Sequence, residues 1–207
     1  FPTRRSSDLF IKLFDTCIQP IVQYGAEIWG LYSAASHCEK THLFALKKFL
    51  GVSPQTPNDL LYRETARYPI SLLSVVKCIK YWIKITQMNT ERLPYKAYRM
   101  LLDLDNRGKI NWVSNVRMKL CNFGFGFVWL NQGVADVNYF IRIFRERLID
   151  CWWQSWESHV QSSERFHPYR MFSPINGVPS YMSMHIDRHL KRIMTRFRFG
   201  VSDIYVH

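Results

Sequence analysis

The sequence predicts an all-α protein, an irregular helical bundle of about eight helices. Three observations support this: apolar residues recur every three or four positions, no segment alternates apolar and polar residues convincingly, and proline or glycine separates the periodic segments. The chain has 207 residues, of which 47% are hydrophobic. It can therefore bury a real core and is too apolar for intrinsic disorder.

The first periodic segment covers residues 10–31. Its polar residues recur at every fourth position and the rest is nearly all apolar; they are Asp15, Gln19, Gln23 and Glu27. This pattern predicts one largely buried helix, which Pro20 should kink or split.

Two shorter helices are expected next. Ser36 and Glu39 have the spacing of a capping box, and the helix that they open should stop at Gly51. After a loop with two prolines, Asn58 should cap a short helix that ends before Pro69.

Residues 71–88 predict an amphipathic helix. Its apolar face comprises Leu72, Val76, Ile79 and Ile83, and a basic ridge on another face comprises Lys77, Lys80 and Lys84. Further helices are expected from Pro94 to about Asn106 and from Trp112 to Cys121.

Two long helices complete the prediction. In residues 137–161 an apolar residue recurs every four positions: Phe140, Phe144, Leu148, Trp152, Trp156 and Val160. In residues 181–198 one apolar face should pack inward (Met182, Ile186, Leu190, Ile193 and Phe197), and another should present cations to solvent (Arg188, Lys191, Arg192 and Arg196).

The segment 123–135 is the expected link between a helical region at 10–122 and a second one at 136–207. Residues 1–9 lack the apolar periodicity of the rest and resemble the translation of a common sequencing adapter. We therefore expect them to be an artefact and disordered.

Charge is the strongest functional signal in the composition. Lys and Arg number 28 against 16 Asp and Glu, a formal net charge of +12, and the excess persists without residues 1–9. A folded, aromatic-rich chain with this excess points to nucleic acid, with an anionic membrane surface as a weaker alternative. Charges interrupt every apolar run, so no membrane span is predicted.

The five cysteines are odd in number and far apart in sequence. They indicate reduced, mostly buried thiols in an intracellular protein, nuclear or cytoplasmic, since no secretory signal is recognisable.

Candidate chemistry is sparse. Asp103 and Asp105 lie two apart at a helix end, where they do not face each other as two-metal catalysis requires. His37, Cys38 and His42 lack a fourth zinc ligand, so a core cysteine with two surface histidines is the favoured interpretation.

Two aromatic patterns have structural interpretations. The two glycines of residues 123–127 have no Lys-Ser/Thr after them and predict a turn rather than a phosphate loop. Trp152 and Trp156 belong to an apolar stripe, whereas Trp153 lies off it and is the candidate for stacking a base.

Several short motifs resemble the region that follows the reverse-transcriptase domain in non-LTR (LINE-type) retrotransposon polyproteins. Residues 19–30, QPIVQYGAEIWG, carry the first motif, and residues 62–69, YRETARYP, look like the family's YxExGRxPL pattern with Thr65-Ala66 departing from it. The motif residues are Pro20, Tyr24, Gly25, Glu27, Trp29, Tyr62, Glu64, Arg67 and Pro69. The tail, RIMTRFRFGVSDI, resembles the basic segment before the family's zinc motif.

The resemblance implies a fragment of an RNA-directed DNA polymerase, comprising its thumb and post-polymerase helices. The catalytic Asp-Asp motif that holds Mg²⁺ would lie upstream and the zinc motif downstream, so the isolated chain should be inactive and hold no cofactor. RNA or DNA and the upstream reverse-transcriptase domain are the expected partners. The expected contacts to phosphate are Lys77, Lys80, Lys84, Arg188, Lys191, Arg192, Arg196 and Arg198.

A second hypothesis belongs to another functional class. An all-α module for protein–protein interaction would have the same periodicity, and its basic faces would only solvate the helices. A basic helix lying on a membrane surface ranks third, since the apolar stripes suit a protein core.

Overall fold

A computed structural model of the chain describes residues 4–32, 35–172, 179–184 and 186–200, in which every regular element is helical. The all-α class is thereby confirmed. The helices are α1 (Arg4–Leu13), α2 (Gln19–Val22), α3 (Ala26–Trp29), α4 (Ala35–Leu50), α5 (Asn58–Thr65), α6 (Ile70–Thr86), α7 (Leu93–Asn106), α8 (Trp112–Asn122), α9 (Gly126–Leu130), α10 (Val137–Ser162), α11 (His167–Phe172), α12 (Ser180–Ser183) and α13 (Arg188–Arg198), with a π-helical segment at Phe14–Ile18 and a 3₁₀ turn at Glu164–Phe166.

The chain forms two compact units. Unit 1 comprises residues 1–22, 38–69 and 152–207, and unit 2 comprises residues 23–37 and 70–151. The segment 123–135 lies within unit 2, where Phe123, Phe125 and Trp129 pack against the core.

The core of unit 2 surrounds α6. Trp82, Ile79 and Ile83 of this helix are fully buried, and Trp82 stacks on Trp129 with ring centroids 5.6 Å apart. Phe144 of α10 is also fully buried and meets Phe125 edge-on. The predicted apolar periodicities of α6 and of the first half of α10 are therefore confirmed.

The core of unit 1 joins helices that are distant in sequence. Leu46 of α4, Leu61 of α5 and Val160 of α10 belong to one apolar cluster, together with Phe166 and Tyr169. Trp156 packs against this cluster, and its indole nitrogen donates to the Asp59 carbonyl at 2.8 Å.

The single buried helix predicted for residues 10–31 is wrong. Helix α1 begins at Arg4, so residues 4–9 are helical rather than disordered. Helical structure is interrupted at Gly25, whose φ is 68°. Ile21 and Tyr24 are 72% and 86% exposed, while Gln23 is buried. Apolar periodicity indicated a helix here but assigned the wrong side to the core.

The chain stays helical through Pro20, because a π-helical segment precedes the proline. Proline has no N–H and its ring collides with the carbonyl four residues earlier in a regular α-helix. Over Phe14–Ile18 the helix widens, and the Gln19 N–H bonds the Phe14 carbonyl five residues back. The wider turn is a known accommodation for such a position.

Two predicted helix boundaries also differ. Helix α4 begins at Ala35, so Ser36 lies within it, and Glu39 binds the Tyr62 hydroxyl rather than closing a capping box. The last predicted helix is two helices, since the backbone is extended at Met184 and Asp187 caps α13 by accepting the His189 N–H at 2.7 Å.

All five cysteines are free thiols. Only Cys78 is buried, where its Sγ donates to the Ala26 carbonyl at 3.0 Å, and burial raises its pKa to about 12. Cys17 and Cys121 are exposed, so the expectation that most of the cysteines are buried is wrong.

Candidate nucleic-acid interface

The predicted basic ridge lies on α6. Lys77, Lys80 and Lys84 are all exposed, on a helix whose other faces bury eight residues. The Lys77 ammonium donates to the Gln23 carbonyl at 3.4 Å, beside the start of α3. The three cations are therefore anchored by a rigid, buried helix and point outward from unit 2.

The cations of α13 are arranged differently, because most of them bind unit 1 itself. Arg192 donates to the Lys48 carbonyl and Arg196 to the Gly51 carbonyl, both at 2.9 Å. These carbonyls lie at the C-terminal end of α4, where unsatisfied oxygens and the helix dipole attract cations. Burial, followed by repulsion from Arg188 and Arg196, lowers the pKa of Arg192.

One further cation of α13 has an intramolecular partner, and another is partly buried. The Lys191 ammonium donates to the Met182 carbonyl at 2.7 Å, and Arg188 is half-buried. Most of the cations of α13 thus bind acceptors within unit 1, although Arg196 remains exposed.

The apolar residues of α13 correspondingly face outward. Leu190, Ile193, Met194 and Phe197 are between 40% and 51% exposed, whereas Thr195 is buried and pairs with the Tyr181 hydroxyl at 2.8 Å. The prediction that Leu190, Ile193 and Phe197 pack inward is therefore wrong.

Arg198 forms a buried ion pair with Glu64. The guanidinium donates to Glu64 Oε1 at 2.6 Å, and the Glu64 side chain is fully buried while that of Arg198 is 12% exposed. The rings of Tyr169 and Tyr181 lie 5.4 and 5.7 Å from the guanidinium carbon. Burial raises the pKa of Glu64, and its bond to Arg198 opposes that rise.

The other motif residues near α5 also make long-range contacts. The Tyr62 hydroxyl donates to Glu39 Oε1 at 2.7 Å, and Arg67 forms an ion pair with Asp15. Ala66, between Glu64 and Arg67, has φ 51° and ψ 38° at the C-cap of α5. This left-handed conformation is the one that favours glycine, the residue that the resembled pattern carries before its arginine.

The first motif shapes a turn before α3. Gly25 has a left-handed backbone, and the Trp29 indole nitrogen donates to the Tyr24 carbonyl at 2.8 Å. Of the remaining motif residues, Pro20 is exposed, Glu27 is half-buried, and Pro69 is buried before α6.

Trp153 is packed rather than free to stack a base. The rings of Trp152 and Trp156 meet it edge-on at 4.8 and 5.1 Å, and the guanidinium carbon of Arg63 lies 5.1 Å from its ring centroid. Sequence periodicity placed Trp153 off the apolar stripe. It could not predict the contact with Arg63, because that residue belongs to another helix.

The candidate metal ligands have other partners. Asp105 is held by Arg117 and Ser114, and Asp103 pairs with Arg107, so the two carboxylates do not converge. His42 is 1% exposed, against the expectation of a surface histidine, and it bonds Glu39 at 3.0 Å. Cys38 donates to the Val22 carbonyl, and His37 is exposed. Among the described residues no group of three or more His, Cys, Asp or Glu could hold a metal ion.

Comparisons with protein-family models, with curated proteins and with solved structures each found no match for this chain. Within the described ranges, no helix combines the length and apolarity needed to cross a membrane.

Proposed function

We propose that this chain is the helical region that follows the reverse-transcriptase domain of a non-LTR retrotransposon polyprotein, and that it binds RNA or DNA. The exposed ridge of Lys77, Lys80 and Lys84 is the observation that carries the binding proposal. Lysines held on one side of a rigid helix bind phosphates without reading sequence. In the intact polyprotein this ridge would hold template or element RNA for the upstream domain, which would supply the Mg²⁺ chemistry.

The geometry at position 66 supports the family assignment. A left-handed residue at the end of α5 is compatible with the glycine of the resembled pattern, although alanine occupies the position here. The neighbouring Tyr62, Glu64 and Arg67 each bind a residue on another helix, which is a structural role rather than a catalytic one.

The binding proposal is tested by fluorescence anisotropy with a labelled single-stranded RNA. We expect affinity for the full chain to fall steeply between low and physiological salt, as phosphate contacts predict. The triple variant Lys77→Glu, Lys80→Glu and Lys84→Glu should bind at least tenfold more weakly. Its salt slope should shrink by about 2, since each phosphate contact to a single strand contributes about 0.7.

A matched variant separates the ridge from net charge. Arg142→Glu, Arg145→Glu and Arg147→Glu makes the same change in charge at three exposed cations of α10. Equal weakening by both triples would contradict a role specific to the ridge, and no binding at low salt would overturn the proposal.

The exposed apolar residues of α13 favour the alternative, a module for protein binding. Replacing Ile193 and Phe197 by Glu removes apolar surface without touching the cations that hold the helix. Loss of binding to the upstream reverse-transcriptase domain, with RNA affinity unchanged, would support this second function.

A further inference from the structure

Helix α7 carries an apolar stripe that the described residues of unit 2 leave exposed. Leu93, Met100 and Leu104 are 80%, 68% and 40% exposed, and Ala97 between them is exposed as well. The four residues follow one another at spacings of four, three and four. This is the spacing of the seam in a two-helix coiled coil.

The stripe is separate from the face that holds α7 in unit 2. Tyr98 is buried in the core, and Leu101 and Leu102 pack against it. At 100° per residue, the stripe lies roughly a third of a turn from that inward face. A second helix can therefore lie along the stripe without displacing α7 from its core.

We propose that a second copy of this chain occupies the stripe, with the two α7 helices antiparallel. The stripe has a Leu at either end, with one small and one large residue between them. Reversing the partner places Leu93 beside the partner's Leu104 and Ala97 beside the partner's Met100. Each small side chain thus meets a large one, as close packing requires.

The charges beside the stripe specify the same antiparallel pairing. Within the span of the stripe, Lys96 and Asp103 are the charged residues that flank it directly, and both are exposed. They already form two exposed ion pairs, Lys96–Glu91 and Arg107–Asp103, each at 2.8 Å. In the reversed partner Lys96 lies beside the partner's Asp103. A parallel partner would not bring these two opposite charges together.

The size of the contact sets the expected strength. Three turns of one helix bury much less than the about 1,600 Å² of a standard interface. The dimer is therefore weak and concentration-dependent. The stripe and its charged edge do not include the lysine ridge of α6, so this inference is independent of nucleic-acid binding.

Sedimentation velocity of the full chain, from low-micromolar to near-millimolar concentration, tests the proposal. We expect the average mass to rise from the monomer value of 24.7 kDa towards twice that value. Met100→Glu should keep the protein monomeric. Leu130→Glu makes the same apolar-to-charged change on α9, where the side chain is 81% exposed, and this variant should still dimerise.

Charge reversal tests the orientation without altering any apolar contact. Lys96→Asp or Asp103→Lys alone should weaken the dimer at least tenfold, because each puts like charges side by side at both symmetric positions. The double reversal should restore it. A monomer at every concentration, or a dimer indifferent to Met100→Glu, overturns the proposal. A dimer in which the double reversal fails to rescue the single ones overturns the antiparallel pairing.

Discussion

Arg198 shows, at the scale of a single residue, how burial decides what a cation does. Its guanidinium lies between two tyrosine rings and neutralises Glu64, whose side chain has no exposed surface. A cation with this partner is held inside unit 1, whereas the exposed lysines of α6 keep their charge in solvent. We therefore expect Arg198 to contribute to stability rather than to phosphate binding.

Replacing Arg198 by Met tests this role. The change keeps an unbranched side chain but leaves a buried carboxylate without its counter-charge, which costs about 3–5 kcal/mol. Arg107→Met, at the exposed pair with Asp103, is the control and should cost less than about 1 kcal/mol. Urea unfolding measures both, and similar losses in the two variants would contradict the buried role.

The pH dependence of that loss has a definite sign. Burial raises the folded-state pKa of Glu64 above its ordinary value of 4.5, and removing Arg198 raises that pKa further. A raised folded-state pKa gives stability at low pH that is lost as pH rises through it. The difference in free energy of unfolding between the wild type and Arg198→Met should therefore become smaller as the pH falls from 7 towards 4.5.

Whereas replacing Arg198 should lower the free energy of unfolding, replacing Ala66 by Gly should raise it. An alanine at φ 51° carries strain that glycine does not, and glycine's greater unfolded-state freedom offsets only part of that relief. Ala66→Gly should raise the free energy of unfolding by about 0.5–1 kcal/mol. The same change at Ala97, inside α7, should lower it by about 1 kcal/mol, because glycine weakens a helix interior.

At the scale of elements, Asp105 joins α7 to the start of α8. It accepts two bonds from Arg117 and one from Ser114, whose hydroxyl also closes the capping box with Asn111. The bond from Arg117, more than the one from Ser114, lowers the pKa of Asp105 below its ordinary 3.8. The carboxylate therefore stabilises the pairing of the two helices only while it is ionised.

Asp105→Asn should consequently destabilise the protein at neutral pH but not in acid. The stabilisation from a depressed pKa is complete above about 3.8 and is lost as pH falls through the lower folded-state value. We expect the variant to unfold at lower urea concentration than the wild type at pH 7, with the gap closing below pH 4. Asp103→Asn, two residues away in an exposed pair, should show little change at either pH.

Elements with a continuous apolar face were predictable from sequence, and elements held by polar contacts were not. The periodicity of α6 gave the buried positions Ile79 and Ile83 correctly, because burial alone holds that face. In α13 the periodicity identified an apolar stripe but placed it on the wrong side. The contacts that orient this helix are to Lys48, Gly51 and Glu64, more than 130 residues earlier in the chain.

The candidate site also contains one part that the sequence predicted and one part that it did not. The lysines of α6 were predicted as an exposed ridge from their spacing alone, and they are exposed. The sequence could not reveal that Arg192, Arg196 and Arg198 have intramolecular partners, because charge and spacing carry no information about distant acceptors. Nothing in the local pattern of Glu64 indicated burial either; only its place in the resembled motif suggested a structural role.

At the scale of the whole molecule, the net charge of +12 should make stability depend on salt. Excess charge of one sign disfavours the compact state, and added salt screens that repulsion. We expect the melting temperature to rise between low and physiological sodium chloride. The Lys77→Glu, Lys80→Glu and Lys84→Glu variant, which has half the net charge, should show a smaller rise; equal rises would contradict a whole-molecule effect.

The π-helical segment Phe14–Ile18 sets the rotational phase of everything before it. One additional residue in a helical turn rotates the preceding helix by about 100° relative to α2. Deleting a single residue there would reset that phase, turning Leu9 and Leu13 of α1 by more than a quarter-turn and bringing the Pro20 ring against a carbonyl. The one additional residue of the π-helical turn thus makes room for the proline ring and also determines which side of α1 faces solvent.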